Sequence, residues 1–522
     1  MFEKISIAVG YCDMESLAQL PGIFLPLASC VLALSLTTIV YRAVKNPLSH
    51  IPGPQISKWS SLIEQYYWFA GTKVEYVDYL HRKYGPIVRV TPTEVDICDL
   101  PAVREIHRVR GGYLKSEWYK SLTPPGVTSL LTLIEPAQYS EWRRLLAGPL
   151  SDTSLGKVEP MVTNHVHATI DRIASDLQSQ GVSDLYKWWT YMATDVVSEL
   201  SFGEPIGLLA RPKETAWVMD YLDKVGIMHA WRTTFPFVFV LGRVMPVHPF
   251  KHAIRAIGLL GKWARQSIQQ YRQHIQEQPE SPKPTLFTKL FKTGKFDDFQ
   301  LTYLAGSYIT AGSHTTAVTL LYLIYAICSD NEVRQKLLAE IRTLPENFRH
   351  DELRHLPYLN QVITETLRKY AVVSSALPRV VPAGGATLAG YYLPGGTTVS
   401  TQAYTLHRNE AIFPNPQKYK PNPKYSYLSM LSVWLIECRF DPSRWESPTQ
   451  EMKDAYMPFG GASRMCIGNS LALMEIRLTT ALFLRRFPEV HMSRQNGMRD
   501  EDLAQEQYLI MAPRGHRLLV EA

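Results

Sequence analysis

FGGASRMCIG, residues 459–468, carries the most specific chemical signal in this 522-residue chain. A helix-like run, residues 469–487, follows it. A cysteine that enters a helix N-terminus beside an arginine is placed to be a thiolate, because local N–H groups and positive charge favour the anion. The glycines let backbone amides approach the sulfur, as the tuning of a metal-bound thiolate requires. The alternative for Cys466 is a buried structural thiol, the usual state of a lone cysteine.

The composition indicates a large folded body. Hydrophobic residues make up 46% of the chain and charged residues 20%, which excludes disorder of the whole chain. Lys+Arg exceed Asp+Glu by 55 to 48 without forming a long basic run, so we expect no nucleic-acid partner. The six cysteines form no C-x-x-C pair, and no N-x-[ST] acceptor occurs. This pattern excludes a disulfide framework and a zinc ribbon and suits a reducing, cytosol-facing body.

The N-terminal segment, residues 1–45, predicts a membrane anchor. No charge occurs from Ser16 to Tyr41, and residues 23–41 as a helix span about 28 Å, enough to cross the hydrocarbon layer. Arg42 and Lys45 follow this run, whereas the segment before it is mainly acidic, which places the downstream body in the cytosol. A cleaved signal peptide is the alternative, but no A-x-A-like site ends the run. The Pro-rich stretch 46–55 then predicts a hinge.

Residues 56–522 predict one body that is mainly α with a minor β part. Residues 74–84 have helical spacing, and residues 87–90 and 95–97 have the character of short strands. Most segments between about 140 and 375 predict helices, and strand-like stretches return only near 390–400 and 508–520. The chain shows neither β-α alternation nor internal repeats.

A long helix is predicted from Asp297 or Asp298, either of which can cap it, to about residue 328. Near its middle lies AGSHTT, residues 311–316, where Gly and Thr are poor helix formers. Two interpretations are open. The small residues let a flat ligand approach the helix backbone, with a threonine hydroxyl bonding to it, or they form a plain packing notch.

The 459–468 stretch resembles the haem-binding loop of the cytochromes P450, Phe-x-x-Gly-x-Arg-x-Cys-x-Gly. Four of the five fixed positions match, namely Phe459, Arg464, Cys466 and Gly468. The resemblance extends over essentially the whole chain and is closest to membrane-bound enzymes of filamentous fungi that work in specialised metabolism. It implies the cytochrome P450 fold, with a long central helix over the haem and small β-sheets, preceded by one N-terminal transmembrane helix.

Other family motifs occur in the expected order. Glu365-Thr366-Leu367-Arg368 matches Glu-x-x-Arg, and its i,i+3 spacing puts both charges on one helix face. Arg444, in FDPSRW at 440–445, resembles the arginine that completes a buried Glu–Arg–Arg network. We therefore expect Glu365, Arg368 and Arg444 to form the structural network of the family.

The resemblance also assigns the cofactor site, haem b with the Cys466 thiolate as the axial ligand of its iron. It implies that arginines neutralise the haem propionates, and that Thr315, with His314, guides protons. The cofactor-binding residues expected on this basis are Arg464, Arg379, Arg143 (four residues after Tyr139), Phe459 and Gly468.

Two residues depart from the family pattern. Ala462 replaces a glycine, which costs about 1 kcal/mol if that position needs a positive φ. His314 stands where the family usually has Asp or Glu before the threonine. A histidine can relay protons, because its reference pKa is about 6.5, but the usual acid–alcohol pair is missing.

The resemblance implies that the protein inserts one oxygen atom from O2 into a lipophilic small molecule. It also implies a location in the endoplasmic reticulum membrane, with the catalytic body facing the cytosol. No G-x-G-x-x-G occurs, so electrons must come from a partner. The resemblance implies that this partner is NADPH-cytochrome P450 reductase, which uses NADPH, with cytochrome b5 as an optional second donor. Two alternatives remain: a haem-thiolate isomerase or dehydratase that does not use O2, and an inactive haem-binding relative. By resemblance the pocket is lined from residues 111–133, 217–250 and 372–377.

Residues 419–439, YKPNPKYSYLSMLSVWLIECR, interrupt the family pattern. In the family, Phe-Pro-x-Pro (here 413–416) leads within a few residues to Phe-x-Pro-x-Arg-Trp (here 440–445), and removal of these 21 residues restores that run. Two origins are open: a short intron retained in frame or a gene-model error, and a genuine surface insertion, which loops tolerate at modest entropic cost. The apolar centre of the segment argues against an ordinary solvated loop.

Overall fold

The computed structural model describes residues 20–124, 126–237, 248–277, 285–414, 418–421, 434–437 and 439–522. Helices dominate these residues, as the sequence predicts. The α-helices are α1 (Leu20–Lys45), α2 (Leu62–Phe69), α3 (Lys73–Tyr84), α4 (Leu100–His107), α5 (Pro136–Ala147), α6 (Asp152–Gln180), α7 (Leu185–Phe202), α8 (Trp217–Thr234), α9 (His248–Glu277), α10 (Thr288–Thr293), α11 (Asp298–Ser329), α12 (Asn331–Ile341), α13 (His350–Arg354), α14 (Pro357–Lys369), α15 (Ala403–Leu406), α16 (Gln450–Ala455) and α17 (Asn469–Arg486).

The strands are short and lie in small sheets. They are β1 (Ile87–Arg89), β2 (Glu94–Ile97), β3 (Leu114–Lys115), β4 (Ser183–Asp184), β5 (Arg379–Val380), β6 (Ala386–Leu388), β7 (Tyr391–Leu393), β8 (Thr398–Ser400), β9 (Lys418–Pro421), β10 (Trp434–Glu437), β11 (His491–Met492), β12 (Gln505–Gln507), β13 (Met511–Pro513) and β14 (Leu519–Glu521). The largest sheet has the order β1-β2-β8-β5-β3, and a second has the order β11-β14-β4.

Two strand pairings bring distant parts of the chain together at places that matter for function. β3 pairs antiparallel with β5, which sets Lys115 directly opposite Arg379. β14 pairs antiparallel with β4, which sets Leu519 opposite Asp184 and brings the C-terminal segment to the start of α7. Neither pairing could be read from local sequence, because each strand has only two or three residues.

The core is a bundle in which α11 packs along α7, with α6 and α17 beside them. Nearly all of α7 is buried, and so is most of α11. Gly312 allows this close approach, because a Cβ there would lie 2.7 Å from Val197 Cγ2 of α7. The structure therefore favours the packing-notch interpretation for Gly312 itself.

The predicted boundaries agree well with the observed ones. Asp297 is the N-cap of α11, and its carboxylate accepts a hydrogen bond from the Gln300 N–H at 2.7 Å. The expected helix at 74–84 is α3, and the expected strands at 87–90 and 95–97 are β1 and β2. The prediction of a mainly α fold with a minor β part is confirmed.

In the part of the chain that the structure describes, α11 is the helix whose length and apolar composition would suit a membrane span. Of its most apolar stretch 72% is buried, which identifies α11 as a core helix. The residues predicted as an anchor, 23–41, are helical and belong to α1.

A buried carboxylate holds α14 against the segment that leads to the cysteine loop. Both oxygens of Glu365 accept from the Arg368 guanidinium, each at 2.8 Å, and the carboxylate also accepts from Arg444 Nε at 3.1 Å. The indole N–H of Trp445 and the backbone N–H of Asp441 donate to the same carboxylate, at 2.9 and 3.0 Å. Because Glu365 is fully buried, these donors are needed to offset its desolvation.

The same cluster holds both ends of the excess segment 419–439. The carbonyl of Pro414, before the segment, accepts from Arg444 at 3.4 Å, and the carbonyl of Arg439, at its end, accepts from Arg368 at 3.3 Å. The strands β9 and β10 pair antiparallel, and residues 422–433 and 438 lie outside the described residues. The chain thus leaves the fold after Pro414 and returns at Arg439, both beside the Glu365 cluster.

Deletion of residues 419–439 should give a protein that folds and melts no lower than the full chain. The deletion joins Lys418 to Phe440, so the Lys418 carbonyl takes the place of the Arg439 carbonyl as acceptor for Arg368. Thermal unfolding followed by circular dichroism is the measurement. A deletion extended through Arg444, which removes an arginine of the cluster, is the destabilised control. A lower melting temperature for the shorter deletion would show that the segment belongs to the working fold.

Candidate haem-thiolate site

The cysteine loop turns back on itself before α17 begins. The Cys466 N–H donates to the Phe459 carbonyl at 2.9 Å, and Gly460, at φ 83°, makes the turn. Ala462 lies in a short 3-10 helix, Ala462–Arg464, and is absent from the residues with positive φ. The condition for strain at Ala462, a positive φ, is therefore not met, because Gly460 provides the left-handed conformation.

Gly461 packs against a histidine of α4. A Cβ on Gly461 would lie 2.2 Å from His107 Nδ1, so a side chain there would displace the imidazole. The other ring nitrogen of His107 is 2.7 Å from Thr401 Oγ1, and Nδ1 has no hydrogen-bond partner among the described residues. Burial, with the Arg379 charge, lowers the pKa of His107 to about 3, so its ring is neutral.

The Cys466 sulfur is accessible to a small probe but lies deep among protein atoms. Burial raises the pKa of this thiol, while the Gly468 N–H and the Arg143 charge act in the opposite direction. The local groups thus favour the thiolate, as the sequence predicts, but burial opposes them and sets the net direction of the pKa shift. The protein offers a thiol that a bound cation would deprotonate, as metal binding does to coordinating thiols generally.

Three basic side chains, Lys115, Arg379 and Arg464, gather at this loop. Lys115 and Arg379 face each other across the β3–β5 pair, where like charges are destabilising. Burial, followed by the charges of Arg464 and Arg379, lowers the pKa of Lys115 from 10.5 to about 6. Arg464 lies 3.7 Å over the Tyr139 ring. Within the described residues none of the three cations forms an ion pair with Asp or Glu.

Arg143 contacts the hydroxyl of the same tyrosine. It donates to Tyr139 Oη at 2.9 Å and to the Met465 carbonyl, next to Cys466, at 2.7 Å. The structure thus ties Arg143 to the cysteine loop through the backbone. Phe459 is partly buried against the main core, and Gly468 is the N-cap of α17, where an added Cβ would lie 3.8 Å from the Cys466 sulfur.

The middle of α11 presents two different faces. Ala311 is exposed although it lies in the core helix, and the Thr315 hydroxyl donates to the Ala311 carbonyl at 2.6 Å. His314, one residue earlier, is buried and points toward Tyr186 of α7. Tyr308, two turns before Thr315, lies near enough to Cys466 for a sulfur charge to raise its pKa further, after burial. The helix therefore runs beside the cysteine loop with Ala311 and Thr315 accessible.

Sequence reasoning missed two residues of this site. Lys115 and His107 lie in short or polar stretches without a motif, and only the β3–β5 pairing and the contact with Gly461 place them here. Trp445 was quoted as part of FDPSRW, but its role as a donor to Glu365 needs the three-dimensional arrangement.

The residues present fit a haem. Arg379 Nε and Arg464 Nη1 are buried without a hydrogen-bond partner among the described residues, so the positive cluster lacks anions that two propionates supply. An accessible thiol in a glycine-rich loop fits the axial ligand of the iron. A cysteine loop, unpaired cations and a long helix with an open middle face define a haem-thiolate class of protein.

Comparison with known proteins agrees with the assignment to the haem-thiolate class. The family model for cytochrome P450 matches residues 54–422 and 431–520, and its interruption falls inside the excess segment. The chain is 94% identical over 509 residues to cytochrome P450 monooxygenase orf2 of Aspergillus niger, covering 98% of this chain and all of the relative. It is 40% identical over 488 residues to cytochrome P450 monooxygenase tazI of Aspergillus terreus (93% and 96% covered) and 31% identical over 483 residues to stcB of Emericella nidulans (91% and 88%).

The chain belongs to the cytochrome P450 family and is a monooxygenase of that family. Members of the family carry haem ligated by a cysteine thiolate, and Cys466 is the cysteine that this chain places in the matching loop.

Replacing Lys115 by Met should weaken haem retention by about tenfold, the equivalent of one charge-assisted hydrogen bond of about 1.5 kcal/mol. In the haem-free protein the change should stabilise the fold, because it removes a buried ammonium group and its repulsion by Arg464 and Arg379. The pKa of Lys115 is lower in the folded state, so the penalty is full below pH 6 and fades as the pH rises towards 10.5.

Haem titration and urea unfolding of the haem-free protein between pH 6 and 10 measure these effects. The stability advantage of the variant should shrink as the pH rises. Lys120→Met, at an exposed lysine paired with Glu117, is the control and should change neither quantity. If Lys115→Met lowers the stability of the haem-free protein at pH 6, the charge argument is wrong.

Proposed function

We propose that the protein inserts one oxygen atom from O2 into a lipophilic small molecule of fungal specialised metabolism, using electrons from NADPH through a separate reductase. The observation that carries this proposal is the accessible Cys466 sulfur beside cations that lack counter-ions. Relatives named as monooxygenases in several filamentous fungi support the reaction type.

The haem, when bound, supplies the activation of oxygen, helped by electron donation from its thiolate ligand. The chain itself contributes the ligand and the charge balance. Cys466 would hold the iron, and the propionates would be neutralised by Arg464, Arg379 and Lys115, while Arg143 fixes the loop backbone at Met465. Tight packing of Gly461 on His107 keeps that loop in place.

Proton supply falls to α11. The Thr315 hydroxyl is on the accessible face of the helix and can pass a proton to a group bound there. His314, on the adjacent buried face, takes the place of the acid that the family usually has before the threonine. Burial lowers the pKa of His314 to about 4, so it is neutral at pH 7 and can accept as well as donate.

Electron supply requires a partner, because the sequence contains no dinucleotide-binding fingerprint. The proposed donor is NADPH-cytochrome P450 reductase, with cytochrome b5 as an optional second donor. The reductase that the family implies is membrane-bound, so the proposal places the enzyme at the endoplasmic reticulum membrane, held by its N-terminal anchor.

Two hydrogen bonds connect the segments that are expected to line the substrate pocket. Arg232, near the end of α8, donates to the Leu122 carbonyl at 3.0 Å and so joins residues 217–250 to residues 111–133. Residues 372–377 join the C-terminal sheets, because the Val372 carbonyl accepts from the Met511 N–H at 2.8 Å. Residues 238–247 lie outside the described residues.

Replacing Cys466 by Ser should abolish the thiolate-type band in the reduced carbon monoxide difference spectrum and the monooxygenase activity with it. Serine keeps the size of the side chain but removes the soft sulfur ligand. Cys328→Ser, at a half-buried cysteine near the Val490 carbonyl, is the control and should keep the band. A Cys466→Ser protein with an unchanged band would refute the proposed ligand.

Membrane attachment is proposed from two surfaces. Helix α1 exposes apolar side chains along its length, among them Val31, Leu34 and Val44. A second apolar surface is formed by Ile56, Trp59, Leu62, Ile63, Tyr66, Phe235 and Phe237, all exposed, and Phe69 stacks on Phe235 to join its two parts. Such exposed patches are unusual on soluble proteins and mark contact with lipid or partners.

Deletion of residues 1–45 should release the body from membranes while the carbon monoxide spectrum is kept. The second surface should leave residual affinity, which Leu62→Glu combined with Phe237→Glu in the truncated protein should remove. Fractionation in high salt and mild detergent measures both effects. A truncated protein that still behaves as integral would show that the anchor lies elsewhere.

A further inference from the structure

A buried histidine on α11 has an unused nitrogen. His314 is only 3% exposed, and its Nδ1 has no hydrogen-bond partner among the residues that the structure describes. An unpaired polar atom in such a place costs free energy, so it calls for an explanation beyond packing. The neighbour of the imidazole is the ring of Tyr186, which lies edge-on with the ring centroids 6.2 Å apart.

Tyr186 leads from His314 toward the surface. Its hydroxyl donates to Asp223 Oδ1 at 2.6 Å and lies 3.1 Å from His516 Nδ1. His516 and Asp223 are themselves paired at 3.1 Å, and their side chains are 30% and 29% exposed. Hydrogen-bonded groups thus run from solvent to the Tyr186 hydroxyl, and the ring of Tyr186 packs edge-on against His314.

Three separate elements build this set. Tyr186 is in the first turn of α7, Asp223 is on α8, and His516 is in the turn between β13 and β14. The β14–β4 pairing carries His516 to the start of α7. His516 has φ 47°, a conformation that costs free energy in a non-glycine residue, so the turn holds it in place.

The electrostatics suit proton transfer. Burial lowers the pKa of His516, but the hydrogen bond and charge of Asp223 outweigh it, so the pKa is raised above 6.5. Burial, with Asp223, raises the pKa of Tyr186 well above its usual value, so its hydroxyl stays protonated and can only exchange protons. Other titratable groups facing the set are Asp184 and Tyr322, near Tyr186, and Glu506, near His516.

Resting on the proposed oxygen chemistry, we propose that Asp223, His516 and Tyr186 form a proton path from solvent to His314, and through it to Thr315. The path takes over the task of the acid–alcohol pair that is missing here. Tyr186, Asp223 and His516 act as positioning residues, since none of them reaches the open face of α11.

Each transfer leaves the carriers unchanged overall. A proton from His516 passes to the Tyr186 oxygen as the hydroxyl proton of Tyr186 moves on, through one intervening water, to Nδ1 of His314. His314 releases the proton from its other nitrogen toward the Thr315 hydroxyl and returns to the neutral form. The His516–Asp223 pair is reprotonated by solvent.

Solvent exchange of the His314 ring N–H tests the path without any turnover. In protein labelled with 15N-histidine, with the His314 signal assigned from a His314→Gln variant, exchange should be fast despite burial. Tyr186→Phe, which keeps the ring but removes the hydroxyl, should slow it by at least about tenfold, the lower bound expected of a positioned proton carrier. Asp223→Asn should also lower the pKa of His516 towards 6.5 in the same titration.

Tyr322→Phe is the matched control, because the Tyr322 hydroxyl is also buried and donates to the Leu503 carbonyl at 3.0 Å but stands outside the path. Its His314 exchange should equal that of the unaltered protein. In the presence of reductase, NADPH and O2 alone, Tyr186→Phe should also slow oxygen consumption about tenfold. Unchanged exchange in a Tyr186→Phe protein with a normal carbon monoxide spectrum would overturn the path, whereas an unaltered protein without that spectrum would overturn the proposed function instead.

Discussion

The close packing of α11 on α7 is the contact on which the rest of the structure depends. It requires Gly312, because a Cβ at that position would collide with Val197. Once the two helices lie together, the rotation of α11 is fixed. Ala311 and Thr315 then face open space beside the cysteine loop, while His314 faces Tyr186. The α11–α7 contact therefore buries His314 and leaves the next residue, Thr315, on the open side of the same helical turn.

Two buried charge clusters in this protein behave in opposite ways. Around Glu365 the buried carboxylate is fully hydrogen-bonded, because two arginines, the Trp445 indole and a backbone N–H all donate to it. Among the described residues no carboxylate forms an ion pair with Lys115 or Arg379, which face each other across the β3–β5 pair. The first cluster stabilises the chain as it stands, whereas the second gains its stability only when an anionic group binds. The presence or absence of a paired carboxylate thus distinguishes the structural Glu365 cluster from the Lys115 and Arg379 binding site more clearly than the sequence motifs do.

Helix caps, periodicity and motif order predicted most of the elements, because these signals are local. Asp297 caps α11 where a cap was expected, and Pro357 begins α14. Two points stayed open at the level of sequence, whether Ala462 needs a positive φ and whether the Cys466 thiol is ionised before a metal binds, and both for a common reason. Backbone conformation at Gly460 and the net effect of burial on a thiol depend on atoms far away in sequence.

The sequence by itself predicted the family, the cysteine of the haem-binding-loop motif, the pairing of Glu365 with Arg368 and the extent of the central helix. The signals for these are short motifs, caps and periodicity, which neighbouring residues of the chain carry. Only the tertiary structure decided that Lys115 and His107 belong to the site, and that His516 lies beside Tyr186 and Asp223. Those residues meet through pairings of two- and three-residue strands. Such short strands carry no periodicity of their own, so their register is set by the packed helices around them.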